Sequence, residues 1–259
     1  MLLSHRDLGG AGLPPLVVLH GLLGSSRNWQ TAGTELARSF HVLAVDLRNH
    51  GASFHSDAMG WGAMLDDLTA WMDSAAPDPA AVMGHSLGGK VAMLLACRHP
   101  ARVTRLVVVD VAPRNYDWPE RRLEIAALEG IDLSRLASRA EAERLIESRV
   151  PGWAIRKFLL TNLERVPEGG WRWIVNLPAL RGALSELQEN PLKPGDRFPG
   201  PSLFIAGGKS AFLQDGDRIP IACHFPAAEF EVFAESGHNP HMDAREELVR
   251  SVRTFLTRA

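Results

Sequence analysis

Six short, almost uninterrupted apolar runs constrain this chain more than anything else in it. They are residues 16–20 (LVVLH), 41–46 (HVLAVD), 81–84 (AVMG), 106–110 (LVVVD), 202–206 (SLFIA) and 229–233 (EFEVF). A strand with one wet face alternates apolar and polar residues. Most of these runs do not, which is the pattern of strands covered on both faces in a parallel sheet. Helix-like segments lie between them, at 34–39, 61–73, 89–98 and 244–256. Strand and helix alternating at this spacing build right-handed βαβ crossovers, so the chain is predicted to be α/β, with a mostly parallel, doubly wound sheet. At 259 residues and 46% hydrophobic it can bury one large core.

The rhythm breaks once. Residues 113–194 hold no strong parallel-strand run, only amphipathic helix (PERRLEIAALEG, SRAEAERLIESRV, PGWAIRKFLLTNL) and a short hairpin predicted around Gly169-Gly170, beside Trp171 and Trp173. That is too long for a plain connection. The expected organisation is a core at 1–112, a helical cap at 113–194 and a second part of the core at 195–259. The cap would lie over the strand ends, where open α/β sheets bind ligands. Four of the seven tryptophans fall in it, Trp118, Trp153, Trp171 and Trp173. They either fasten the cap to the core or line an apolar pocket.

The sharpest chemical signal is Gly84-His85-Ser86-Leu87-Gly88-Gly89, a G-x-S-x-G sequence between a strand (AAVM) and a helix (KVAMLLAC). A serine at such a turn takes a strained backbone and projects its hydroxyl into a cleft, with glycines clearing the way and a helix N-terminus behind it. The pattern resembles the nucleophile turn of α/β-hydrolases, and Ser86 is the predicted nucleophile. Gly84 to Lys90 also fits the spacing of a phosphate loop, but Val91 stands where that loop needs Ser or Thr for its metal.

A serine hydroxyl needs a base. His238 follows the last strand, in Glu235-Ser236-Gly237-His238-Asn239-Pro240, and the order nucleophile then histidine suits this fold. His241 orients the loop or is incidental. No HExxH sequence accompanies the two, so no metal site is expected. His20 and His85 are expected to set loop geometry rather than transfer protons.

The acid is less direct. The loop after the penultimate strand, Gly207-Gly208-Lys209-Ser210, carries Ser210 where a carboxylate is usual, and Asp215 and Asp217 further on suit helix capping. Asp110 ends the run LVVV, and a charge buried there must be paired. A hydrogen bond to His238 would satisfy it and fix the imidazole tautomer. Asp110 is therefore the first choice, with Asp215 and a loop-capping role for Asp110 as the alternatives. Asp46, also at a strand end, is expected to pair with Arg48 or nearby backbone. The oxyanion would be held by the backbone N–H groups of Leu87 and of Leu22, in the glycine-bounded loop His20-Gly21-Leu22-Leu23-Gly24. The side chains of Leu22, Leu23 and Leu87 would shape an acyl pocket or belong to the core.

With these residues in place, the chain resembles the small cap-bearing α/β-hydrolases that include bacterial short-acyl esterases and their eukaryotic mitochondrial relatives. The segments that carry the resemblance are LHGLLGSSRNW, VDLRNHGAS, MGHSLGGKVAM, VVVDVAP, FLLTNL, IVNLPAL, FIAGGKS and SGHNPH, spread from about residue 16 to 258. It implies an α/β-hydrolase fold with a helical cap and an acid at Asp110, beside a serine in the loop that holds Ser210. It also implies an esterase acting on small acyl esters without a cofactor, with acyl thioesters as an alternative substrate. The residues are equally compatible with a carbon–carbon bond hydrolase or lyase. Asn239-Pro240 stands where many relatives have an aromatic residue, which bears on pocket shape.

The bulk properties agree with a small-molecule partner. A net charge of -2 and the lack of any basic block leave no electrostatic footprint for nucleic acid. No run reaches the ~18 apolar residues of a membrane span. The first ten residues lack the apolar run of a secretory signal. Two cysteines, Cys97 and Cys223, are too few for a disulfide framework and are expected as packed, reduced thiols, which suits the cytoplasm.

Overall fold

The computed structural model describes residues 1–258; Ala259, the last residue of the expected 195–259 segment, lies outside them. The strands are β1 (His5–Asp7), β2 (Pro15–Leu19), β3 (His41–Val45), β4 (Ala80–His85), β5 (Val103–Val109), β6 (Leu163–Arg165), β7 (Trp171–Trp173), β8 (Ser202–Gly207) and β9 (Ala228–Phe233). Seven of them form one sheet in the order β1-β3-β2-β4-β5-β8-β9. All its pairs are parallel except β1 on β3. The apolar runs are continuous because both faces are covered. Val17 and Leu19 belong to one core and Leu16 and Val18 to the other. Helices Trp61–Ala75 and Leu87–Arg98 lie over the first face, and Gln30–Leu36 and Arg245–Thr257 over the second. This is the α/β-hydrolase arrangement, mostly parallel and doubly wound.

Two elements differ from the sequence expectation. The edge strand β1 is three polar, exposed residues with no apolar run to reveal it. The helix expected at 34–39 runs instead over Gln30–Leu36. It follows directly on a 3-10 turn, Ser26–Trp29, begun where the Asn28 side chain accepts the Ser25 N–H at 2.7 Å. Its apolar residues Ala32 and Leu36 then face the core.

From β2 the chain steps to β3 on one side and returns to β4 on the other, so the direction of winding reverses between β2 and β4. The crevice at their C-terminal ends is where such sheets bind ligands. Between β5 and β8 run the inserted helices Pro119–Glu129, Arg139–Ile146, Trp153–Leu159 and Leu177–Gln188, and the antiparallel hairpin β6–β7. Gly169 and Gly170 turn that hairpin at φ 94° and 89°, values open to glycine. Among the described residues no helix is long and apolar enough to cross a membrane. Both cysteines are free. Cys97 is half-buried and burial pushes its thiol up to about 12, but Cys223 is exposed rather than packed, since it lies on the outer side of the short helix Arg218–His224.

Candidate active site

Strand β4 ends at His85 and the helix begins at Leu87, so Ser86 alone makes the turn, at φ 50° and ψ -115°. That backbone is strained for a residue with a Cβ. Neighbouring glycines make room for it. A Cβ at Gly84 would stand 2.2 Å from the Gly88 carbonyl oxygen, and one at Gly88 2.6 Å from the His20 carbonyl oxygen. The Gly88 N–H donates to that same His20 oxygen at 3.1 Å, which ties the loop after β2 to the nucleophile turn.

Three side chains from three loops meet here. His238 Nε2 lies 3.1 Å from Ser86 Oγ, and His238 Nδ1 lies 2.7 Å from Asp110 Oδ2. Asp110, wholly buried just past β5 at φ 52°, also accepts the Gly207 N–H at 2.9 Å and the Ser210 hydroxyl. Both of its oxygens are thus engaged, which leaves Nδ1–H as the histidine's donor to the acid and a bare Nε2 towards Ser86. The alternative acid, Asp215, is exposed and pairs with Arg218 at 3.0 Å. Asp217 does not cap the helix after it. Its carboxylate accepts the Gln214 N–H at 2.9 Å and pairs with Arg114 at 2.9 Å. Asp46 clasps backbone, accepting from Ser26 N at 2.6 Å and Ala52 N at 3.0 Å, whereas Arg48 pairs with Asp67.

The loop after β2 is braced by two buried histidines. His20 Nδ1 bonds the Gly21 carbonyl at 2.8 Å and His50 Nδ1 the Arg48 carbonyl at 2.9 Å, so each carries its proton there. Their Nε2 atoms then accept the Leu47 and Leu23 N–H groups, at 3.0 and 3.2 Å. Burial lowers both rings, His50 to about 3, so they stay neutral. A Cβ on Gly21 would be 3.3 Å from Ser86 Cβ, so the loop that carries Leu22 presses directly on the serine. Leu87 N–H opens a helix, where the first N–H groups have no intrahelical acceptor.

His85 and His241 lie close to His238, with ring centroids 4.8 Å apart for His85–His238 and 4.7 Å for His85–His241. His85 Nε2 donates to the His238 carbonyl at 2.7 Å. Burial first, then the neighbouring imidazoles, hold His85 far below the usual histidine range and His241 down to about 3. Both rings are therefore neutral near neutral pH.

A cleft open to solvent lies over Ser86 and His238. The core supplies Leu22, Asn28, Trp29 and Ser86 to its walls, and the inserted segment supplies Arg121, Ala154, Ile155 and Phe158. None of the four tryptophans of the insert lines it. Trp118 is buried against Tyr116 and Phe212, Trp171 and Trp173, half-buried on β7, pack against the main core, and Trp153 is exposed. Leu23 and Leu87 are core residues, and only Leu22 of the three leucines faces the cleft. Sequence reasoning passed over two supports. Phe212 stacks on the His238 ring with centroids 3.8 Å apart, and Asn162 Nδ2 donates to the Leu23 carbonyl at 2.8 Å. Phe212 carries no motif; Asn162 sits inside FLLTNL, where an asparagine in an apolar run is the available signal.

This sheet order and a serine turn of this geometry define a class of hydrolase, and comparison with known proteins supports it. The model of the alpha/beta hydrolase family matches residues 16–251, and the chain belongs to that family. It is 36% identical over 263 residues to the sn-1-specific diacylglycerol lipase ABHD11 of Mus musculus, covering 98% of this chain and 85% of that protein. It is 30% identical over 242 residues to the esterase YbfF of Escherichia coli, covering 93% and 92%. A solved marine microorganism esterase superposes with a TM-score of 0.94 at 33% identity, over 98% of this chain and 99% of that one.

Proposed function

We propose that this chain is a serine carboxylic ester hydrolase that cleaves small acyl esters through an acyl-enzyme on Ser86. The observation that carries this reading is the continuous line from Ser86 Oγ through His238 to Asp110, at 3.1 and 2.7 Å, opening into a cleft. His238, oriented by Asp110, takes the Ser86 proton as Oγ attacks the acyl carbonyl. The N–H groups of Leu22 and Leu87 hold the oxyanion. His238 then gives the proton to the departing alcohol, activates water and restores free Ser86 as the acid leaves. No cofactor enters these steps. The segment 113–194 acts as a cap whose residues Arg121, Ala154, Ile155 and Phe158 select the substrate. The two free thiols support a reducing compartment, the cytoplasm, as the site of the reaction.

The test is a panel of p-nitrophenyl esters from acetate to decanoate, with an acyl thioester and a diacylglycerol alongside, the last because the mouse relative is named for it. Turnover of short esters, lost in Ser86→Ala, is the expected result. Turnover of the thioester alone would move the reading to a thioesterase. A folded enzyme that turns over none of them while Ser86 still reacts with a phosphonate would point to the carbon–carbon hydrolase or lyase chemistry.

A further inference from the structure

Lys90 is a basic residue with no place in the reaction above, yet it is completely buried, four residues after Ser86 on the helix Leu87–Arg98. Its Nζ donates to the Glu189 carbonyl at 2.6 Å and the Gln188 carbonyl at 3.3 Å, at the end of the helix Leu177–Gln188. Carbonyls at a helix C-terminus lack intrahelical donors and carry partial negative charge. The same Nζ lies 4.9 Å from the Tyr116 ring centroid, 5.5 Å from that of Trp118 and 5.3 Å from that of Trp61, within the range at which a ring face attracts a cation. Tyr116 and Trp118 stand where the chain enters the inserted segment, and Gln188 and Glu189 where it leaves. The two stems are also bonded to each other, Tyr116 N–H to the Gln188 carbonyl at 2.8 Å. Trp61, from the core, reaches the same helix end through its indole N–H, which donates to the Glu186 carbonyl at 3.0 Å.

We propose that Lys90 is a positioning residue that pins both stems of the inserted segment to the nucleophile helix and so sets the height of the substrate-selecting wall above Ser86. The consequences run along two lines of contact. Trp118 leads directly into the helix Pro119–Glu129, which places Arg121 in the cleft. Tyr116 donates its hydroxyl to the Phe212 carbonyl and stacks on the Phe212 ring, and Phe212 stacks on His238. The amino group needs no bound substrate for this, and its hydrogen bonds to the carbonyls can be donated by the ammonium or by the amine. Parting the stems breaks these hydrogen bonds and opens the amino group to water.

The activity consequences rest on the ester-hydrolase reading, but the pinning itself is read without them. Lys90→Met keeps the apolar stem and removes the donors. Hydrogen exchange on the free protein is expected to show residues 115–119 and 186–190 losing about tenfold or more of their protection, while β4 and β8 keep theirs. In steady-state assays KM for p-nitrophenyl butyrate is expected to rise about fivefold or more, with kcat reduced less. Labelling of Ser86 by a small phosphonate should persist. Wild-type protection of both stems together with wild-type KM overturns the proposal. Faster stem exchange in a chain inactive on every ester leaves the pinning standing and strikes at the esterase reading instead. Should Lys90→Met fail to fold, Lys90→Gln, shorter and uncharged but still a donor, is measured in the same way; loosened stems support the proposal and wild-type stems overturn it.

Discussion

At Ser86 the cost of a left-handed backbone falls on a residue whose hydroxyl must stand clear of its own strand and helix, and Gly84 and Gly88 are the positions that allow it. Any side chain at Gly88 would push on Leu19 and the His20 carbonyl, at the base of the loop from which the proposed mechanism takes the Leu22 N–H. Gly88→Ala is therefore expected to lower kcat by more than it lowers stability, read by comparing kcat with the thermal midpoint. Asp110 is bonded to His238, Ser210 and Gly207 at once, so its replacement by Asn invites the wrong imidazole tautomer. In a serine protease with the same arrangement, that change lowers kcat by about 10⁴. A loss of 10³ or more is expected here, with folding unaffected. Phe212 does lesser work. An aromatic stack of this kind is worth about 0.5–1.5 kcal/mol beyond its area, so Phe212→Ala should reduce kcat by no more than about tenfold.

Among the elements, the parts that can be read from sequence are those fixed by local pattern. β2, β4 and β5 announce themselves because two covered faces leave no polar position in LVVL, AAVM or LVVV. The serine turn does so because its glycines lie within the same six residues. Asp110 and His238 stand 128 residues apart, and only the sheet order brings β5 and β9 to either side of β8. The lining of the cleft is not legible, because which face of each inserted helix turns inward depends on how the stems dock. Tryptophans advertise burial but not place, and Trp118 packs at a stem instead of in the cleft. Lys90 reads as an ordinary helix lysine until the stems close over it. Burial, then Arg114, pushes it down from 10.5 to about 7 against the opposing Glu189 carboxylate, and the Leu187, Gln188 and Glu189 carbonyls are its hydrogen-bond partners. A parted stem returns the amine to its ordinary value. Between these two values the open form holds a proton that the closed form has released, so closure strengthens as pH rises through that window. Exchange of the stem amides, corrected for intrinsic rate, is expected to slow from pH 7 to pH 9 in the native chain. It should show no such trend in Lys90→Met.

For the whole molecule, the proposed function assigns the reacting groups to loops at the ends of the sheet strands and the shaping of the cleft to the inserted segment. Ala154, Ile155 and Phe158, all on the helix Trp153–Leu159, are the apolar part of the wall that the insert provides. Trimming Phe158 to Ala is expected to shift the preferred p-nitrophenyl ester to a longer acyl chain with little change for the acetate, read from kcat/KM across the series. The insert also braces loops beside the site, through Asn162 Nδ2 on the Leu23 carbonyl and the Tyr116 hydroxyl on the Phe212 carbonyl. The proposed reaction passes through a covalent bond between the acyl group and Ser86. The measurement that tests it most directly is peptide mass spectrometry on protein quenched with acid during turnover of p-nitrophenyl butyrate. A butyryl group on the peptide that contains Ser86, absent from Ser86→Ala, is the expected result. An active enzyme whose Ser86 peptide stays unmodified throughout turnover, or a Ser86→Ala variant that keeps its activity, would contradict the account.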